Sequence, residues 1–385
     1  MKIVILVHVL SVGGAERQFI QLAEGLKLRG HDVRIVALHV SNPGWQWMLQ
    51  ANDTLATALF DQNPGGPIDS TRQFISAIRQ LRQIFSEHHT QIAHGANTGL
   101  MATLLWFATR GRSLPAMVWG QRGGYGLTRP RKRAAHHLLA ARFARAVSHH
   151  APLLVANSEA GSRALQRDGL RCQRFEVVPN GIDLTRFKRD DRAGDQLRQH
   201  WGFDRKHCVI GWIGRPTPVK DLESFLKAAA VISRRVADAR FVVVGGHNAG
   251  KQQRYKLTAR KLGIEKQMVW EIAREQLVPV YSCIDMLCLS SIAEGFPNVV
   301  AESMACGTPC VVTDVGAAAE IVGKSGVIVP PGSPESLAEG ILKMMERLDG
   351  LDRTALRDSI KSRFNFDRHL SAMESIYSDL LDGKS

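Results

Sequence analysis

From Ile3 to Val9 only His8 interrupts a run of aliphatic residues. Continuity of this kind, rather than strict alternation, suits a parallel strand covered on both faces. Gly13-Gly14 breaks the run. Phe19, Leu22, Ala23 and Leu26 then recur at helical spacing as far as Gly30, and His31 to Leu38 is a second apolar run. The alternation continues with helices near 71–87 and 98–109, strands near 91–94 and from Pro115 to Trp119, and a helix from Lys132 to Ser148. Strands Pro152–Ala156 and Phe175–Val178 flank a helix from Glu159 to Asp168. The polar, charged stretch Lys188 to His200 reads as a linker with a short helix. Beyond it come strands Cys208–Ile213, Phe241–Val244, Met268–Ile272, Asp285–Leu289, Pro309–Val312 and Gly326–Val329. A helix starts near Leu222, Ser333-Pro334-Glu335 caps another, and a last one runs from Asp367 to Leu381. Strand and helix in turn predict an α/β chain of mostly parallel sheets wrapped by helices. At 385 residues the chain exceeds one ordinary core, so two domains are expected.

Composition narrows the class. Apolar residues make up 44%, which fits a well-buried globular protein. The first ten residues resemble a weak signal peptide, but their run is short and leads straight into a charged amphipathic helix, so a buried first strand is the better reading. No apolar run approaches the ~20 residues that span a bilayer. Six cysteines (172, 208, 283, 288, 306 and 310) show neither CxxC nor zinc spacing and sit in apolar contexts, as buried thiols of a reducing compartment do. The net charge of +14 is uneven: residues 1–180 carry 21 Lys and Arg against 10 Asp and Glu, or +11, leaving +3 for the rest. The excess gathers between Arg122 and Arg145, including Arg129, Arg131, Lys132 and Arg133. This asymmetry points to an anionic partner of the first half. Leu138, Leu139, Phe143 and Val147 at helical spacing also allow a helix whose cations are simply solvated. Few aromatics interleave with the cations, which argues against nucleic acid.

The richest stretch is Ser290 to Gly316. It places Glu294 ahead of a Gly295-Phe296-Pro297 turn, with Asn298 as a candidate N-cap for a helix that carries Glu302 one turn in. Backbone N–H groups at such a helix start favour a phosphate, and the two carboxylates are predicted to look into one cleft, as acceptors for sugar hydroxyls. A second candidate is the loop after strand 208–213, Gly214-Arg215-Pro216-Thr217-Pro218-Val219-Lys220-Asp221. Arg215 and Lys220 straddle a proline-stiffened turn at the carboxyl edge of a sheet, where a forked guanidinium and a mobile ammonium suit a diphosphate. Gly13-Gly14 after the first strand allows close approach of a ligand, although GxGxxG is absent.

The string EGFPNVVAESMACGTPCVVTDVG, with two glutamates separated by seven residues, resembles the donor-site signature of retaining GT-B glycosyltransferases, family 4 in particular. The loop 214–221 resembles the family's GRPxPxKD, and VVPNGID at 177–183 its first-domain closing motif. The likeness covers nearly the whole chain and is most specific in its second half. It implies a GT-B fold, two Rossmann-like domains with parallel sheets facing across a central cleft. Residues 1–185 would bind the acceptor and 186–366 the nucleotide-sugar donor, with the final segment 367–385 packing back on the first domain.

Site roles follow from the same likeness. Arg215 and Lys220 would neutralise the departing diphosphate, with no metal and no other cofactor. Glu294 would hold sugar hydroxyls beside the anomeric carbon, and Glu302 would accept from the ribose. Gly295, Phe296, Pro297, Asn298 and Val299 would present backbone N–H groups to phosphate and sugar. Gly13 and Gly14 would face the donor phosphate, Gly245 would form the glycine turn after strand 241–244, and Ala273 and Arg274 would flank the base. Two departures stand out. Ala273 replaces a common glycine, which leaves base identity open. Gln121 and Arg122 stand where many relatives carry a sugar-contacting histidine, so Arg122 becomes a candidate for a donor or acceptor phosphate.

The implied reaction moves a sugar from a UDP- or GDP-sugar, with retention and without metal, to a cell-envelope polysaccharide or lipid-linked saccharide. The expected setting is cytoplasmic, peripheral on an anionic membrane surface, with no nucleic-acid partner. Rival readings are a sugar-nucleotide 2-epimerase of the same fold and a non-catalytic scaffold or nucleic-acid binder. The glutamate pair and the intact cation loop weigh against both.

Overall fold

The computed structural model describes residues 1–10, 14–40, 56–59, 71–96, 100–110, 115–122, 142–246, 249–274 and 276–383. They fall into two compact units, 1–180 with 367–385, and 181–366.

In the first unit seven parallel strands take the order β3-β2-β1-β4-β5-β6-β7. They are β1 (Lys2–Leu10), β2 (Asp32–Val40), β3 (Ala56–Ala58), β4 (Ile92–Gly95), β5 (Ala116–Gln121), β6 (Leu153–Ala156) and β7 (Arg174–Val177). The described helices are α1 (Gly14–Leu28), α2 (Thr71–His88), α3 (Leu100–Ala108) and α4 (Glu159–Arg167). The strand order reverses between β1 and β4. Ile3 to Val7 are all buried, as their unbroken apolar character requires when helices cover both faces. β3 did not stand out in the sequence, since a three-residue edge strand is too short to show a period. Most of the helix expected over 132–148 lies outside the described residues; Arg142–Val147 is helical.

The second unit repeats the plan with six parallel strands in the order β10-β9-β8-β11-β12-β13. These are β8 (Cys208–Ile213), β9 (Ala239–Val244), β10 (Met268–Glu271), β11 (Met286–Leu289), β12 (Cys310–Thr313) and β13 (Val327–Val329). Around them lie α5 (Asp191–His200), α6 (Leu222–Arg235), α7 (Ala249–Lys261), α8 (Val278–Cys283), α9 (Asn298–Ala305), α10 (Ala318–Val322), α11 (Pro334–Met345) and α12 (Arg353–Phe364). Alternate residues of β8 feed opposite cores. Val209 and Ile213 join Leu287, Val300 and Met304 on one face. Ile210 and Trp212 join Phe225, Phe241 and Ile341 on the other. Here the order reverses between β8 and β11.

Two boundaries differ from the sequence reading. The units divide after Asn180 rather than after 185. Lys188 to His200 is not a linker: α5, capped by Asp190, packs into the second unit. Gly194 allows this, because a Cβ there would come within 2.8 Å of the Ser282 carbonyl oxygen at the end of α8. A polar surface face with burial only at Gly194 and Leu197 looks like a linker until the packing is seen.

The last helix, α13 (Phe366–Leu381), belongs with the first unit. Glu374 pairs with Arg29 and, at 2.8 Å, with His31. The Tyr377 hydroxyl lies 2.7 Å from His94 Nδ1, and His369 Nδ1 lies 2.7 Å from the Pro179 carbonyl oxygen.

Candidate functional site

In an open parallel sheet, ligands meet the carboxyl ends of the strands where the order reverses. In the second unit that edge lies between β8 and β11. The loop after β8 ends in a tight turn, Pro218–Lys220, and the loop after β11 leads through Glu294 into α9. Lys220 and Glu294 form an ion pair, and Glu294 also accepts a 2.6 Å hydrogen bond from the Ser291 hydroxyl. Glu294 is 8% exposed, so the two donors replace lost water around a carboxylate. Lys220 remains partly exposed, and two of its three N–H donors are left for a ligand. Arg215, on the same loop, is exposed, and its guanidinium makes no hydrogen bond or ion pair among the described residues.

The loop is clamped from below. The Ser290 hydroxyl lies 3.0 and 2.8 Å from the carbonyl oxygens of Lys220 and Asp221, and accepts from Trp212 Nε1 at 3.0 Å. Asp221 follows at φ +43, a left-handed conformation uncommon for a non-glycine residue, and its carboxylate caps α6 through Ser224. Gly316 supports the other side. At φ +59, a Cβ there would stand 2.4 Å from the Gly295 carbonyl oxygen and 2.5 Å from that of Glu294, and Ala317 N–H donates to Gly295 at 2.8 Å. The Glu294-Gly295 backbone is therefore pressed into place.

Glu302, one turn into α9, is 3% exposed and accepts a 2.7 Å hydrogen bond from the fully buried Tyr281. Asn298 is the first residue of α9 rather than its cap. Pro297 holds the cap position, and no side chain makes a capping bond. Phe296 is buried edge-on against Phe364, and Val299 is half-buried. Farther along the edge, Gly245 N–H donates to the Glu271 carbonyl at 3.0 Å, and Ala273 N–H to that of Gly246 at 2.9 Å. The side chain of Gln252 donates to the Gly245 and Glu271 carbonyls. Arg274 is drawn back to the Glu271 carboxylate, which also accepts from Trp201 Nε1. Lys220 and Glu294 thus meet directly, while Gly245, Ala273 and Arg274 form a connected shelf beside them.

The remaining candidates lie in the first unit, at the carboxyl ends of its strands. Gly13 is outside the described residues, and Gly14 is the exposed first residue of α1. Gln121 and Arg122 are buried. Arg122 stacks over the Phe19 ring at 4.6 Å and donates from Nη1 to Asn180 Oδ1 at 2.7 Å. Burial lowers its pKa to about 10. Burial and the nearby guanidinium together hold His94 and His369 near pKa 3, so both are neutral at ordinary pH. Cation segment 123–141 is outside the described residues. Among the described residues no helix is long and apolar enough to cross a membrane, and no three His, Cys, Asp or Glu side chains cluster as metal ligands.

The roles of Ser291, Tyr281, Trp212, Gly316 and Gln252 were not read from the sequence. Ser290-Ser291, two hydroxyls directly ahead of Glu294, were the available signal.

Comparison with known families places the chain. The profile described as "Glycosyltransferase Family 4" matches residues 12–186, and "Glycosyl transferases group 1" matches 207–347. The chain belongs to the family 4 glycosyltransferases. A D-inositol 3-phosphate glycosyltransferase of Corynebacterium jeikeium is 32% identical over 246 residues, 60% of this chain and 58% of that protein. The Rhodococcus erythropolis protein of the same name is 37% identical over 186 residues, 46% of this chain and 42% of that one. The matches therefore span about half the length of these curated relatives. Among solved structures, Anabaena HepE with UDP-glucose superposes with a TM-score of 0.81 at 21% identity, over 98% of this chain and 100% of that one. Sucrose-phosphate synthase of Thermosynechococcus elongatus gives 0.85 at 17% identity, over the whole of both chains. The two Rossmann-like units are those of the GT-B fold.

Proposed function

We propose that the chain transfers a sugar from a nucleotide-sugar donor, a UDP- or GDP-sugar, to a saccharide acceptor of the cell envelope, lipid-linked or polymeric, with retention and without a metal. The observation that carries this reading is the Lys220–Glu294 pair at the strand reversal of the second sheet, beside the uncommitted Arg215. As the bond from the anomeric carbon to the diphosphate breaks, charge grows on the phosphate oxygens. Arg215 and the remaining N–H groups of Lys220 stabilise it in place, and preorganised charge of this kind is usually the largest catalytic term. Glu294, fixed by Lys220 and Ser291, accepts from sugar hydroxyls and orients the anomeric carbon; Glu302 serves the ribose. The HepE structures with UDP and UDP-glucose support a uridine donor. The basic first half supports an anionic acceptor or membrane surface.

The test is a thermal-shift panel of UDP, GDP, ADP, TDP and CMP without metal. A ligand at 100 times its Kd adds about 2.7 kcal/mol. Stabilisation by one diphosphate, unchanged by magnesium, is the expected result. No shift with any of them removes the donor site.

A further inference from the structure

We propose that Arg122 is an oxyanion receptor, and that the acceptor carries a phosphate or carboxylate which it binds. The word acceptor rests on the reading above; the oxyanion site does not. Arg122 follows β5, at the carboxyl edge of the first sheet, one strand beyond the reversal between β1 and β4. Its guanidinium is fixed on two sides, by the Phe19 ring against its face and by Asn180 at Nη1. The other two nitrogens, Nε and Nη2, are buried and have no hydrogen-bond partner among the described residues. Those two share one edge of the planar group, the edge that meets two oxygens of a carboxylate or phosphate side by side.

Among the described residues no counter-charge compensates this cation: it makes no ion pair with them, and the titratable groups among them that bear on it are His94, His369 and Tyr377. The two imidazoles and the phenol are neutral at pH 7. His94 Nε2, in the same buried cluster, also lacks a partner. A buried charge without a partner is among the costlier arrangements in a protein interior. An arginine serving only to pack would gain by pointing a fork nitrogen at a carbonyl. A fork held open by its other contacts is instead matched to an oxyanion. Both nitrogens are buried, so an anion that reaches them moves the guanidinium or what covers it.

Hydrogen–deuterium exchange of the full chain separates the possibilities, because peptides report the two units independently. Inorganic phosphate and acetate are titrated against the wild type, Arg122→Gln and Arg122→Lys. One or both anions should slow exchange of peptides covering 116–122 and 178–183, and which anion acts identifies the group. Arg122→Gln should raise the half-effect concentration at least tenfold. Arg122→Lys, which keeps the charge and loses the fork, should fall between and serves if the glutamine variant does not fold. No slowing by either anion in the wild type, or equal slowing in all variants, overturns the proposal. UDP is run in parallel on the peptide covering 214–221. Its failure there, with the 116–122 response intact, would defeat the donor reading and leave the oxyanion site standing.

Discussion

Lys220 and Glu294, 74 residues apart in sequence, form an ion pair at the carboxyl edge of the second sheet, each delivered by the loop of a different neighbouring strand. In the proposed donor site the pair does two things. It neutralises a carboxylate that burial would otherwise make costly, and it fixes an ammonium whose other donors are left for phosphate.

Glu294→Gln keeps the shape but removes the charge that, in the proposed site, orders sugar hydroxyls. Turnover should fall at least tenfold, about 1.4 kcal/mol in barrier, with nucleotide affinity near wild type. Steady-state kinetics and a UDP titration check this, and unchanged turnover would take Glu294 out of the chemistry.

Lys220→Ala removes the cation itself. UDP should bind at least tenfold more weakly, a loss of about 1.4 kcal/mol. Titration calorimetry decides the point: equal affinity in the variant means the ammonium serves only Glu294.

The overall plan of both sheets was legible in the sequence because strands buried on both faces must be apolar throughout, as Ile3–Val7 and Phe241–Val244 are. Arg215, Lys220 and Glu294 were legible because each lies in a loop directly after such a strand, in a recognisable string. What holds them was not. The Ser291 bond depends on the path of the turn, and Tyr281 reaches Glu302 across 21 residues through a contact that no local pattern encodes. α5 was misread as a linker because its burial rests on Gly194 and Leu197 amid polar residues. Asn298 was misread as a cap because Pro297 already ends the extended segment.

Tyr281→Phe tests the inner support. The substitution keeps the ring in its core and withdraws the hydroxyl from the Glu302 carboxylate. A buried acceptor losing its donor costs about 1–3 kcal/mol, to be read as a lower denaturation midpoint at unchanged m-value. A change within error would show that water replaces the hydroxyl without loss.

Gly316→Ala tests the outer support. The added methyl meets two carbonyl oxygens of the Glu294-Gly295 turn, at a φ of +59 that L-residues avoid. Left-handed backbone alone costs about 1–2 kcal/mol, so a lower Tm is expected together with reduced turnover. Turnover retained at wild-type level in the folded fraction would show that the turn position does not govern Glu294.

Acid should loosen the first unit before any carboxylate effect. His94 and His369 are fully buried between α13 and the sheet, with Arg122, Tyr377, Phe19 and the Pro179 carbonyl about them, and both are held near pKa 3. In the unfolded chain they titrate near 6.5. Between those values the unfolded state binds protons that the folded state refuses, so stability is level above about pH 7 and declines as pH falls from 6.5 toward 3. Each histidine adds a slope of about 1.4 kcal/mol per pH unit in that window. Denaturant unfolding at pH 7.5, 6.0 and 5.0 measures the decline. His94→Gln, which cannot be protonated there, should remove about half of the histidine-dependent part. A variant with the wild-type slope would mean that His94 accepts a proton in the folded chain as readily as in the unfolded one, and that burial beside Arg122 does not hold it neutral.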